Sequence, residues 1–181
     1  MSHRRPLLND LEEYRKRYPR ETDTLSRFVD FVSAHEDCFL RSQKLGHITA
    51  SAWLLNPDST SVLLTHHRKL NRWLQPGGHA DGDSDILANA IREAQEESGI
   101  TSIQVLSEAI FDLDIHTIPT HGKETAHLHY DVRYLLQAKH TRYVVSAESH
   151  DLAWVDMQQI RDYSEEDSIL RMADKWPRHC A

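Results

Sequence analysis

The sequence predicts a mixed α/β sandwich with an N-terminal helical extension. Three observations lead there: two helical runs before residue 46, strands and a hairpin after it, and one acidic amphipathic helix set among those strands. The 181 residues, 39% of them hydrophobic, are enough to bury a core. Residues 1–45 are expected as the extension and residues 46–181 as the main domain, the two forming one compact unit.

Leu7, Leu8, Leu11, Tyr14 and Tyr18 follow helical spacing, and Pro19 stops the run. A second helix is expected to start at Thr24 as its cap, with Leu25, Phe28, Val29, Phe31, Val32 and Phe39 as its buried stripe. After Gly46 the texture changes. Residues 47–55 and 61–66 read as antiparallel strands joined by the turn Asn56-Pro57-Asp58-Ser59. Pro76-Gly77-Gly78 breaks the chain into a polar loop, and a helix follows over about 85–98. Ser84 or Asp83 is expected to cap that helix, and Gly99 suits its left-handed end. Further strands are expected at 103–106, 110–116, 127–136 and 153–155. In the third of these, Leu128, Tyr130, Val132 and Tyr134 alternate with His127, His129, Asp131 and Arg133. A last helix spans 164–176, with Ser164 and Asp167 in capping positions.

A net charge of −7 makes the whole chain a poor electrostatic partner for a nucleic-acid polymer. No apolar run reaches the length of a bilayer span, and the opening residues lack the apolar centre of a secretory signal, so a cytoplasmic protein is expected. Cys38 and Cys180 are too far apart in sequence for a zinc ribbon and too few for a disulfide scaffold.

Between Asp81 and Glu97 stand six carboxylates against the single Arg92, a local charge of −5. Helical spacing puts Glu93, Glu96 and Glu97 on one face, beside the apolar face of Leu87, Ala90, Ile91 and Ala94. Like charges four residues apart oppose helix formation, and one guanidinium cannot neutralise three acids. A hard divalent ion could, since magnesium takes oxygen ligands, keeps several waters and binds through a few carboxylates together with substrate phosphates. Gly77-Gly78 ahead of the helix lets backbone approach such a ligand without a Cβ in the way.

The stretch Gly78-x5-Ser84-x7-Arg92-Glu93-Ala94-Gln95-Glu96-Glu97-Ser98-Gly99-Ile100 resembles the Nudix box, G-x5-E-x7-R-E-U-x-E-E-x-G-U. Six of its seven fixed positions match; Ser84 stands where the first Glu belongs, between Asp83 and Asp85. The resemblance implies the Nudix α/β/α sandwich and hydrolysis of a diphosphate bond in a small organic, typically nucleoside, diphosphate, with Mg²⁺ or Mn²⁺. It further implies Glu96 and Glu97 as metal ligands, Glu93 as a ligand or base, the Gly78 carbonyl near the metal, and Arg92 orienting Glu93. Glu148 is the candidate for a further carboxylate from a later loop. Asp81, Asp83 or Asp85 could stand in for the missing Glu.

Arg68, Lys69 and Arg72 could hold substrate phosphates or simply be solvated, and His79, next to Gly78, is a candidate for substrate contact. The histidines at 116, 121, 127 and 129 could form a second metal site or a polar wall of the pocket. Hydrogen-bonded histidines on a wet sheet face are the commoner case. Trp53, Trp73 and Tyr130 could stack on a base, although strand aromatics more often pack in a core. The N-terminal helices could provide a homodimer surface, a lid or an added packing layer. Two other functions fit the same pattern: an enzyme resembling the isopentenyl diphosphate isomerases, whose chemistry uses a Cys and a Glu, and a nucleotide-binding module without catalysis.

Overall fold

A computed structural model describes residues 3–120, 122, 125–147 and 149–176. Helices α1 (Arg5–Arg17) and α2 (Thr22–Ala34) lead into strands β1 (Gly46–Leu55), β2 (Ser61–His67), β3 (Arg72–Leu74) and β4 (Gly77–His79). Helix α3 (Ile86–Ser98) precedes β5 (Ile103–Ile118), β6 (His127–Ala138) and β7 (Ser149–Asp156). A 3₁₀ turn at Met157–Gln159 and helices α4 (Ile160–Tyr163) and α5 (Asp167–Lys175) complete the described chain. The mixed α/β class is as the sequence predicts. No helix among the described residues is long and apolar enough to cross a membrane.

The seven strands form one mixed sheet in the order β3-β2-β1-β6-β5, with β4 on β1 and β7 on β2. Strand β1 is its axis. It runs parallel to β6 from Gly46↔Leu128 to Leu55↔Gln137, and its other edge is shared by β4 (Thr49↔His79 to Ser51↔Gly77) and the start of β2. All ten β1 residues are buried because both faces of the sheet are covered.

Alternation sorts the side chains. On one face Ile48, Ala50, Ala52, Leu54, Val132, Tyr134 and Leu136 join Ala90 and Ala94 of α3 and Leu7, Leu11, Tyr14, Leu25 and Phe28 of α1 and α2 in a single cluster. On the other, Trp53, Leu55, Leu64 and Leu135 pack against Ile160, Ile169 and Met172 of α4 and α5. The aromatics are core residues: Trp53 is fully buried, and Tyr130 stacks on Phe31 at 4.0 Å.

Several local expectations need correction. Helix α2 begins two residues before Thr24, with Glu21 at its cap position, and Phe39 lies beyond its end. Asp85, rather than Ser84 or Asp83, caps α3 by accepting the Ala88 amide at 3.0 Å. Gly99 does take the left-handed conformation, φ 69°. The two strands expected at 103–106 and 110–116 are one continuous strand, β5, whose register shifts carry the chain through Ser107. The last helix is shorter than expected, and Ser164 instead accepts the Glu166 amide ahead of it.

The second sheet face also carries a row of buried charge. Asp112, fully buried, accepts from Arg133, Arg171 and Lys175, and Lys175 in turn donates to the Tyr14 hydroxyl at 2.7 Å. These bonds tie α5 to β5, β6 and α1.

Candidate active site

Helix α3 and strand β4 meet at the glycines. The chain enters β4 through Pro76, whose carbonyl accepts the Ala52 amide, and Gly77 and Gly78 then pair against Ser51 and Ala50. Strand β4 was not foreseen; the sequence reads as loop there. The strand brings two backbone units against two carboxylates. Glu97, buried in the last turn of α3, accepts the Gly77 amide through Oε1 at 2.8 Å. A Cβ on Gly78 would lie 2.4 Å from the Glu93 carboxyl carbon, and one on Gly77 would strike the Ser51 hydroxyl. Only glycine fits at these two positions without displacing a functional side chain.

Arg92 braces the cluster. One arm pairs with Glu93 at 2.7 Å and with Glu96 at 3.3 Å; the other donates to the His79 carbonyl at 3.0 Å and to Asn89 Oδ1 at 3.2 Å. The guanidinium therefore locks α3 to β4 while setting the direction of Glu93. The three acids differ in setting: Glu97 is buried, the Glu93 side chain is only 14% exposed, and that of Glu96 is 60% exposed at the rim.

The donor set is carboxylate oxygen, which is the chemistry of a hard divalent cation. The absence of a Cβ at Gly78 lets the Glu93 carboxylate lie directly against the backbone. The carboxylates of Glu93 and Glu97 could hold Mg²⁺ or Mn²⁺, with Glu96 at the edge.

The three aspartates around Ser84 each have partners of their own. Asp81 is bound to Arg41 by two hydrogen bonds, which hold its carboxyl below the usual range; Asp83 accepts the Asp85 amide, and Asp85 caps α3. Ser84 lines a cavity of about 370 Å³ with Pro6, Asp10, Glu108 and Tyr134, between α1 and the start of α3. Arg68 donates to the Ser149 carbonyl at 3.1 Å, and Arg72 pairs with Glu166 at 2.5 Å, so the structure joins both to the β7 and α5 side of the molecule. Glu148 and His121 lie outside the described residues.

Behind the glycines is a polar group that sequence reasoning missed. Asp131 accepts from Thr49, Ser51, Gln75 and Arg133, at 2.7–3.2 Å. Ser51 is thus held against Gly77 from below. The polar residues at alternate positions in His47-Ile48-Thr49-Ala50-Ser51 were the available signal. Farther along the same face, the His79 ring lies 4.9 Å from those of His47 and His129. Burial, chiefly, lowers His47 and His79 to about 4 and His129 to about 2, so all three rings are neutral at pH 7.

This chain belongs to the Nudix family: the NUDIX domain model matches residues 45–173. Solved structures share the fold. A Caenorhabditis elegans Ap4A hydrolase binary complex is 17% identical with a TM-score of 0.54, covering 74% of this chain and 96% of its own. A NUDIX-family hydrolase from Clostridium perfringens is 21% identical with a TM-score of 0.53, over 73% and 97%. The Escherichia coli dihydroneopterin triphosphate pyrophosphohydrolase is 16% identical with a TM-score of 0.56, over 71% and 93%. No curated protein matches the chain.

Proposed function

We propose that the protein is a magnesium- or manganese-dependent hydrolase that cleaves a diphosphate bond in a small organic, nucleoside-type diphosphate. The observation that carries this reading is the convergence of Glu93 and Glu97 on the Gly77-Gly78 backbone, braced by Arg92. When bound there, the divalent ion would neutralise charge on the phosphates and lower the pKa of the attacking water. The protein's own residues do the positioning. The Gly77 amide fixes the Glu97 carboxylate through one oxygen. Arg92 holds Glu93 against Gly78, where its carboxylate can bind the ion or take a proton from water. Glu96, more exposed, stands at the rim of the cluster.

The rival reading as an isomerase loses support at Cys38. That thiol is fully buried, and burial first of all pushes it up to about 11, so it is neither accessible nor ionised at neutral pH. The purely binding reading is disfavoured because all three acids of the helix are retained.

The direct test is Glu97→Gln, which keeps an oxygen for the Gly77 amide but removes the charge. Turnover with Mg²⁺ should be abolished while the circular dichroism spectrum is unchanged. Nucleoside diphosphate sugars, dinucleoside polyphosphates, ADP-ribose, oxidised nucleotides and NADH form the panel on which activity is first sought. Equal activity in Glu97→Gln and the parent would overturn the assignment.

A further inference from the structure

Five imidazoles meet at one end of the sheet face that turns away from α3, and the reading above uses none of their rings. His47 of β1 lies beside His129 of β6 in the parallel register, with ring centroids 4.8 Å apart, and His127 is 4.9 Å from His47. One ligand atom from each of His47, His127 and His129 lies within 4.8 Å of the other two. His79 and His116 flank the group, at 4.9 and 5.3 Å from His129.

Hydrogen bonding leaves lone pairs free to converge. His47 is 97% buried, yet neither of its ring nitrogens has a hydrogen-bond partner among the described residues; the nearby Gln43 backbone does not make that geometry. His129 Nε2 is likewise buried and unpartnered among them. His127 donates Nδ1–H to the Thr125 carbonyl at 2.9 Å, which leaves Nε2 as an acceptor. His116 does the same with Asp114 at 3.1 Å. Metal-binding imidazoles are typically oriented in this way, with the second nitrogen anchored on a carbonyl or carboxylate. Buried, unpaired nitrogens on neighbouring strands are costly unless something accepts their lone pairs.

We propose that His47, His127 and His129 form a binding site for a borderline-soft divalent transition ion of the zinc type, with a fourth position open beside them. Imidazole selects zinc, copper or nickel over magnesium, and a three-histidine set with an open position is a recognised zinc arrangement. Tetrahedral zinc at its usual bond length places ligand nitrogens about 3.3 Å apart, so the rings need to draw together slightly on binding. Strand alternation separates this site from the glutamates. His79 projects to the imidazole side, whereas the space at Gly78 opens toward Glu93.

The test uses the full chain, free of any affinity tag and stripped with a chelator. Zn²⁺ is titrated in competition with a chromophoric chelator, and Co²⁺ is added separately to read its ligand-field bands. One tight equivalent of zinc is expected, along with the intense visible bands of four-coordinate cobalt. His129→Gln and His127→Gln should each weaken zinc at least about tenfold, whereas Glu97→Gln should leave it in place. His127 is only partly buried, so its replacement carries the test even if His129→Gln does not fold. The proposal is overturned if the parent takes up no zinc, if His127→Gln binds it as tightly as the parent, or if Glu97→Gln alone removes it.

Discussion

The carboxylate of Glu93 occupies the space into which a side chain on Gly78 would project, 2.4 Å from the ideal Cβ position. The glycine and the acid are therefore a matched pair across the fourteen intervening residues, and a side chain at position 78 would have to displace the carboxylate. The obstacle is the far end of a flexible side chain, so the Glu can give way.

Gly78→Ala should consequently fold but displace Glu93. A loss of about 100-fold in kcat is expected from a misplacement on the order of 1 Å, with a stability cost of about 1–3 kcal/mol from overpacking. Steady-state kinetics and thermal unfolding on the same preparation check both. A variant as active as the parent would show that Glu93 has no fixed position to lose.

Arg92→Lys tests the brace. Lysine keeps the charge but cannot serve Glu93, Glu96, His79 and Asn89 with one planar fork. Turnover should drop about 10- to 100-fold, with the magnesium concentration needed for half-maximal rate raised. Parent-like values for both would mean that the guanidinium geometry is incidental.

Asp112→Asn removes the anion that Lys175, Arg171 and Arg133 all contact at the centre of the buried network. Leaving buried cations short of an anion costs on the order of 3–5 kcal/mol. Urea unfolding followed by tryptophan fluorescence should show the midpoint falling accordingly. A change under about 1 kcal/mol would mean that solvent already screens the network.

Asp114 gives stability a defined acid limb. Burial by itself would raise its pKa, but the bond from His116 and the charges of Arg133 and Arg171 outweigh it, and the carboxyl ends well below its usual value. The unfolded chain therefore takes up the proton first. The stabilising contribution is complete above the unfolded value of about 3.9 and is lost as pH falls below it. The gap in urea midpoint between the parent and Asp114→Asn should shrink as pH falls from 5 toward 2. A gap that widened on acidification would have the wrong sign.

What the sequence disclosed and what it withheld follow from range. Glu93, Glu96 and Glu97 could be assigned to one helix face because that depends on residues within two turns, and Gly99 could be placed because few residues adopt its φ. Alternation in β6 was readable for the same reason. Strand β4 was not, because Gly77-Gly78-His79 has no intrinsic strand preference and is made extended by pairing with β1. His47 could not be grouped with His127 and His129 beforehand, since only the parallel β1–β6 pairing, some eighty residues distant in sequence, brings them together. The caps of α2 and α3 were misassigned by one to three residues, since several polar residues compete at each start.

The three residues of β4 divide the two kinds of donor between them, oxygen above the ribbon and nitrogen beneath it. Deleting or inserting one amino acid between Pro76 and Ala80 would exchange those sides, thrusting an imidazole among the glutamates and handing a hydrogen atom to the histidines. Such a frame slip would disable the carboxylate centre and remove the flanking imidazole from the other, while an equal change at the exposed Pro57–Asp58 tip of the β1–β2 turn would leave both faces of β4 as they are.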